Sequence, residues 1–245
     1  MTKISRDEVF IPAIKPAKKM RLADLVEIEM LTPNQIKARE YWQQADNDLL
    51  MAGSAGTGKT FLAMHFALEQ VLLSETPYKN LIIVRSAVPT RDMGFLPGDQ
   101  AEKEDPFTAA YKQTVEQLFG GVDDSAWTTT TSSNQVQFMT TSYVRGITIR
   151  DAVVVVDEIQ NMTYHEIRSV ITRLGPRTRL ILCGDTAQSD LHGRERDEAK
   201  RGFDKLVTIL KAMRNTEIVT FRPEDSVRSG RAREYLITEE LLFKE

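Results

Sequence analysis

A single cysteine, Cys183, is the whole thiol content of the chain, so an internal disulfide framework and any metal site made only of cysteines are excluded. Histidine is almost as scarce. His65, His165 and His192 show no metal-ligand spacing and read as packing or hydrogen-bonding residues. No run of about eighteen apolar residues occurs, and the segment from Met1 to Asp7 lacks the apolar stretch of a secretory signal. The expectation is a chain that neither spans a membrane nor leaves the cell by that route, with the reducing cytoplasm as its location. Positive charge is not in excess either: 32 Lys and Arg stand against 35 Asp and Glu, a net charge of -3, so any contact with nucleic acid has to come from a local patch. Repeats of solenoid length are missing. What remains, 41% hydrophobic and 27% charged residues, is the composition of an ordinary globular domain with a real core.

Residues 1–30 alternate short apolar runs with prolines and the basic group Lys15, Lys18, Lys19 and Arg21, and read as an amino-terminal arm. Residues 31–245 read as one domain. Thr32 before Pro33 is an N-cap signal, which predicts a helix to about Gln44. Short apolar runs then alternate with helical patterns. Strands are expected at Leu49–Ala52, Asn80–Val84, Gln135–Tyr143, Ala152–Val156, Arg179–Cys183 and Glu217–Phe221. Helices are expected over Lys59–Leu73, Pro106–Leu118, Thr163–Thr172, Ala199–Met213 and Ser229–Tyr235, and the run Thr128–Ser133 as a turn or loop. That alternation predicts an α/β fold, a mainly parallel sheet covered by helices on both faces; joined to the glycine-rich phosphate loop Gly53–Thr60 between the first strand and the next helix, it becomes the expectation of a RecA-like P-loop NTPase core.

Gly53-Ser54-Ala55-Gly56-Thr57-Gly58-Lys59-Thr60 matches the eight-position P-loop pattern, directly after a strand and directly before a helix. Such a loop points successive backbone N–H groups at phosphate oxygens, and the helix that follows turns its positive end to the same anion. Lys59 is expected at the β- and γ-phosphates, and Thr60 on a Mg²⁺ ion. Asp157-Glu158 closes the β-branched run Ala152–Val156 in the form of a Walker B motif: Asp157 for the metal shell, Glu158 to orient or deprotonate the attacking water. Taken alone, an acidic pair at a strand end can be a solvated turn; beside a P-loop it reads as chemistry. Gly184-Asp185-Thr186-Ala187-Gln188 brings another carboxylate and amide to the same sheet edge, with Gln188 placed to sense the γ-phosphate or its water. Gln35, eighteen positions before Gly53, carries an amide able to pair with an adenine edge, a plain surface glutamine being the alternative.

Together with these motifs, Arg85-Ser86-Ala87-Val88, Gly94-Phe95-Leu96-Pro97-Gly98-Asp99, Tyr143-Val144-Arg145-Gly146 and Asp157-Glu158-Ile159-Gln160-Asn161 occur in an order and spacing that resemble the PhoH-like family, over about residues 31 to 235. The short length is similar to that of phage-encoded members. Departures occur at Ser86, where proline is common, at Pro89–Met93, and at Ile159, where alanine is common. The resemblance implies a cytoplasmic, phosphate-starvation-inducible ATP-binding protein similar to the first motor domain of superfamily 1 helicases. Some members carry a fused PIN nuclease domain and act on RNA; this chain has no room for one beside the core.

The expectation is a Mg²⁺-dependent ATPase acting on RNA or single-stranded DNA, with Arg85, Arg91 and the hairpin before Arg145 as its contact surface. An ATP-dependent assembly or regulatory protein with slow turnover is the alternative, and a metabolite kinase a more remote one. After the first motor domain too few residues remain for a second, so the arginine that closes the ATP site must come from elsewhere. The Asp225-Ser226-Val227-Arg228 segment matches the family's own, and Arg228 is expected to reach a neighbouring subunit's γ-phosphate in a head-to-tail ring, six subunits by analogy with RecA-like rings. The alternative for Arg228 is a cap on a helix, or a pair with Asp225 in its own chain.

Overall fold

In the computed structural model the described residues are 18–44, 46–86, 100–121, 125–185 and 193–243. Thr32 does cap the first helix, α1 (Pro33–Gln43), its hydroxyl accepting from the Gln35 N–H. There follow β1 (Asp48–Gly53), α2 (Lys59–Leu72), β2 (Asn80–Arg85), α3 (Gln100–Leu118), α4 (Ala126–Ser132), β3 (Val136–Thr140), α5 (Thr141–Val144), β4 (Ala152–Val156), α6 (Tyr164–Ile171), β5 (Thr178–Gly184), α7 (Gly193–Ala212), β6 (Thr216–Phe221) and α8 (Gly230–Phe243).

The six strands form one sheet in the order β3-β2-β4-β5-β1-β6, and every described pairing is parallel. A parallel sheet needs both faces covered, and alternate side chains of the strands do go to two separate cores. Leu49, Met51, Leu81, Ile83, Val153, Val155 and Ile181 pack with α1 to α4. Leu50, Ala52, Ile82, Val84, Val154, Val156 and Leu182 pack with α5 to α7. Because both faces are apolar, β4 reads Ala-Val-Val-Val-Val and is buried at every position. The fold is thus the α/β, RecA-like P-loop arrangement, in which β5 separates the P-loop strand β1 from β4. The carboxyl ends of these three strands share one edge, where α/β sheets place their ligands.

Several expectations change. The run Thr128–Ser133 is not a loop: residues 128–132 make up most of α4, and Ser133 is its C-cap. Glu116 on α3 accepts from the Ala126 and Trp127 N–H groups at 3.1 and 2.8 Å, and so satisfies the donors that a threonine-rich helix start leaves open. The strand expected to reach Tyr143 stops at Thr140, where one helical turn, α5, takes over. No hairpin precedes Arg145, since β3 runs parallel to β2. α3, α7 and α8 each extend beyond their expected ends.

The described part of the amino-terminal arm lies on the domain. Met20 exchanges two hydrogen bonds with the Gln135 amide at 2.9 and 2.8 Å, the Val26 N–H donates to the Leu118 carbonyl, and Val26 O faces His65 Nε2 at 3.0 Å. At the start of β5 the buried Arg179 guanidinium lies 3.4 Å from the Trp42 ring centroid and donates to the carbonyls of Trp42 and Asn47, both at 2.8 Å. These bonds solvate a charge that burial would otherwise penalise, and tie β5 to the start of β1.

Candidate nucleotide-binding site

β1 ends at Gly53, and the chain turns into the loop through backbone angles that only glycine adopts readily: Gly53 has φ +122° and Gly58, the N-cap of α2, φ +82°. Ser54, Ala55 and Gly56 are half-buried and Thr57 is fully buried, its hydroxyl donating to Ser54 O at 3.1 Å. Lys59 opens α2, and its ammonium donates to Gly53 O at 2.8 Å and Ser54 O at 2.7 Å. Desolvation lowers its pKa, an effect opposed by the carboxylates of Asp185, Asp157 and Glu158. Lys59 is therefore a cation held in a partly dry cradle, where an anion gains most from it.

Thr60 and Asp157 lie ninety-seven positions apart in the chain, yet the Thr60 hydroxyl donates to Asp157 Oδ1 at 3.0 Å and lies 3.2 Å from Oδ2. Two hard oxygen groups side by side next to a phosphate loop suit a small divalent cation that takes the rest of its ligands from phosphate and water. Burial raises the Asp157 pKa, while hydrogen bonds from Tyr111, from Thr60 and from the Glu158 backbone pull it down. Tyr111, on α3, supplies the first of these at 3.0 Å to Oδ2 and is itself only 2% exposed. Its own pKa is pushed well up by burial and by the Asp157 charge, so its hydroxyl keeps its proton and donates.

Glu158 sits in the left-handed region at φ +55°, uncommon for a residue with a side chain. The turn separates its carboxylate from that of Asp157. The Gln160 amide links Glu158 to β5: its Nε2 donates to Glu158 Oε2, and its Oε1 accepts from the Asp185 N–H at 2.9 Å. Sequence reasoning gave no role to Tyr111 or Gln160. The Asp-Glu-x-Gln-Asn spacing was a signal for Gln160, whereas nothing in the local sequence marks Tyr111.

Gln35 lies against the loop, 4% exposed, with both ends of its amide engaged: Nε2 donates to Thr57 O at 3.0 Å and Oε1 accepts from Leu31 N at 2.7 Å. The structure thus places it behind the P-loop as a brace. Arg228 is exposed and lies across the P-loop of its own chain, so close that a Cβ on Gly56 would meet its Nε at 2.6 Å. The Val227 N–H donates to Gly56 O at 3.0 Å. Asp225 is engaged by Asn34 Nδ2 at 2.7 Å and by the Arg222 N–H at 2.8 Å. Arg85, at the end of β2, is half-buried, and its charge lowers the Asp157 pKa; Arg145 is exposed. Gln188, Thr186, Ala187, His192, Arg91 and the Gly94–Asp99 segment lie outside the described residues.

The PhoH-like protein family matches residues 27–238. A PhoH-like protein of Bacillus subtilis is 32% identical over 237 residues, 91% of this chain and 71% of its own length. One of Synechocystis sp. is 32% identical over 214 residues, 86% of this chain. This chain spans 62% of that relative, and 54% of a similar protein of Mycobacterium leprae. Among solved structures, the large terminase of a thermophilic bacteriophage in complex with ADP aligns with a TM-score of 0.48 at 14% identity, over 87% of this chain and 50% of the terminase. None of the described helices is long and apolar enough to cross a membrane. With a family match over most of its length and the P-loop and Walker B residues gathered at one sheet edge, the chain belongs to the PhoH-like protein family.

Proposed function

We propose that this protein is a cytoplasmic ATPase that binds ATP with Mg²⁺ at the Gly53–Thr60 loop and couples hydrolysis to movement on, or remodelling of, RNA or single-stranded DNA. The observation that carries the ATPase reading is the meeting of Thr60 with Asp157 directly beside Lys59, with Glu158 held on the next residue. Thr60 and Asp157 would hold Mg²⁺, which would supply neutralisation of phosphate charge. The chain's own residues do the rest. The loop N–H groups and Lys59 hold the phosphates, Glu158 orients and deprotonates water, and Gln160 fixes Glu158 against β5. Gln188 reports on the γ-phosphate. A cavity of about 710 Å³ lined by Leu31 to Asn34, Arg222, residues 224–227 and Arg233 adjoins the loop and has room for a base, with the buried Gln35 bracing the P-loop beside it.

The nucleic-acid half rests on the family's similarity to helicase motors and on the exposed Arg145 that follows α5. Phosphate release with and without single-stranded RNA or DNA tests it. Stimulation that Arg145→Glu removes, with basal turnover kept, is the expected result. Equal rates with and without polymer favour the rival reading of an ATP-dependent assembly or regulatory protein.

Assembly follows from Arg228. In a head-to-tail ring of six subunits it reaches a neighbour's γ-phosphate, and the exposed Tyr235, Leu241 and Leu242 of α8 offer apolar contact between subunits. The closeness of Arg228 to Gly56 favours a second reading, in which the same arginine serves the ATP of its own chain. Mixing Lys59→Ala with Arg228→Ala subunits separates the two: activity recovered in mixed rings means a shared site, and none means service within one chain.

A further inference from the structure

Asp157 has a hydrogen-bond partner that no motif of the chain contains. The Tyr111 hydroxyl comes from α3, forty-six positions away, and ends 3.0 Å from Oδ2 of the carboxylate. The carboxylate accepts only, so the hydroxyl must donate. Thr60, the other side-chain donor, is a free rotor whose oxygen is also wanted by the metal. Tyr111 differs on both counts. Its ring is 2% exposed and set in the core between the sheet and α3, with the Phe138 ring centroid 5.7 Å away at an interplanar angle of 36°. A hydroxyl on a ring clamped in this way has one position, and a bond from it holds the plane of the carboxylate.

We infer that Tyr111 is the positioning residue of the metal carboxylate: by donating to Oδ2 from a fixed ring it keeps Asp157 turned to the Thr60 side, ready for the cation. The inference rests on the proposed Mg²⁺-nucleotide site. Tyr111 acts through Asp157. Without the hydroxyl, the buried carboxylate loses its donor of fixed position and keeps the Thr60 hydroxyl and the Glu158 backbone N–H, so metal binding has to restore the part of the order that the Tyr111 bond supplied. A hydrogen bond to a charged group is worth enough to change an equilibrium by about ten-fold.

The test is Tyr111→Phe in the full chain, which removes one oxygen and keeps the ring. A fluorescent ATP analogue is titrated at increasing Mg²⁺, and the Mg²⁺ concentration that gives half of the metal-dependent tightening is read. It should rise about ten-fold in Tyr111→Phe, while nucleotide affinity without Mg²⁺ stays that of the parent. Phe138→Leu, which loosens the packing of the same ring, should lower the melting temperature and leave the Mg²⁺ requirement in place. A parental Mg²⁺ requirement in Tyr111→Phe overturns the role of the hydroxyl, and so does an equal rise in Phe138→Leu, which would assign the effect to packing. If the unmutated protein binds nucleotide with no dependence on Mg²⁺, both this inference and the proposed site fall.

Discussion

Replacing Gly53 by alanine would place a methyl carbon 2.0 Å from the Phe221 carbonyl oxygen and 2.9 Å from the Phe221 carbonyl carbon and nitrogen. A carbon approaches a carbonyl oxygen no closer than about 3.3 Å in ordinary contact, so the shortfall exceeds one ångström. It is a backbone that stands in the way, and it cannot swing aside: Gly53 and Phe221 are register partners in the β1–β6 pairing, and the same carbonyl accepts from the Ser54 N–H at 3.2 Å. Two costs therefore add. A side chain at φ +122° costs about 1–3 kcal/mol, and forcing the strands apart roughly another 1–3 kcal/mol. Gly146 isolates the first cost, because it has φ +90° with nothing within 4 Å of a Cβ there. For a domain of this size each kcal/mol lowers the melting temperature by about 2–4 °C. Calorimetry should find Gly53→Ala below Gly146→Ala by about 2–12 °C. Since Ser54 and the loop carbonyls that hold Lys59 follow Gly53 directly, nucleotide affinity should fall in Gly53→Ala alone. If Gly53→Ala melts no lower than Gly146→Ala, the close approach of β6 to the P-loop is wrong.

Lys59→Ala should abolish tight ATP binding in equilibrium titration, because the loop loses the cation that it holds against its own carbonyls. Glu158→Gln should bind ATP and fail to turn it over, since the amide keeps the shape without the base; normal phosphate release would remove Glu158 from the mechanism. Burial raises the Asp48 pKa to about 6 against the opposing Leu180 N–H and Arg179 charge. A carboxyl whose pKa is higher in the folded than in the unfolded chain favours the fold at low pH, and that contribution is lost as pH rises through about 6. Asp48→Asn keeps an oxygen for the Leu180 N–H, which Asp48 Oδ1 accepts at 2.8 Å, so its melting temperature should gain on the parent's between about pH 4 and pH 7. A constant difference across that range refutes the buried carboxyl.

Much of this protein could be read from local pattern. The P-loop between a strand and a helix, the Thr32 cap and the all-buried run of β4 each follow from neighbours in sequence, because caps, glycine turns and apolar runs act within a few residues. The α/β class came with them, and so did Lys59, Thr60, Asp157 and Glu158 as candidate site residues. Tertiary structure decided the rest. Residues 128–133 look like a loop until Glu116 reaches across to cap them as a helix. Gln35 looks available to a base until its amide is found between Leu31 and Thr57. Tyr111 is an ordinary helix residue until α3 packs its hydroxyl on Asp157, and Arg228 meets Gly56 only once β6 has paired beside β1. In each case at least one partner lies ten or more positions away in the chain. A local pattern determines which groups a segment carries; which of them meet depends on strand order and helix packing, and hence on the burial of the whole chain.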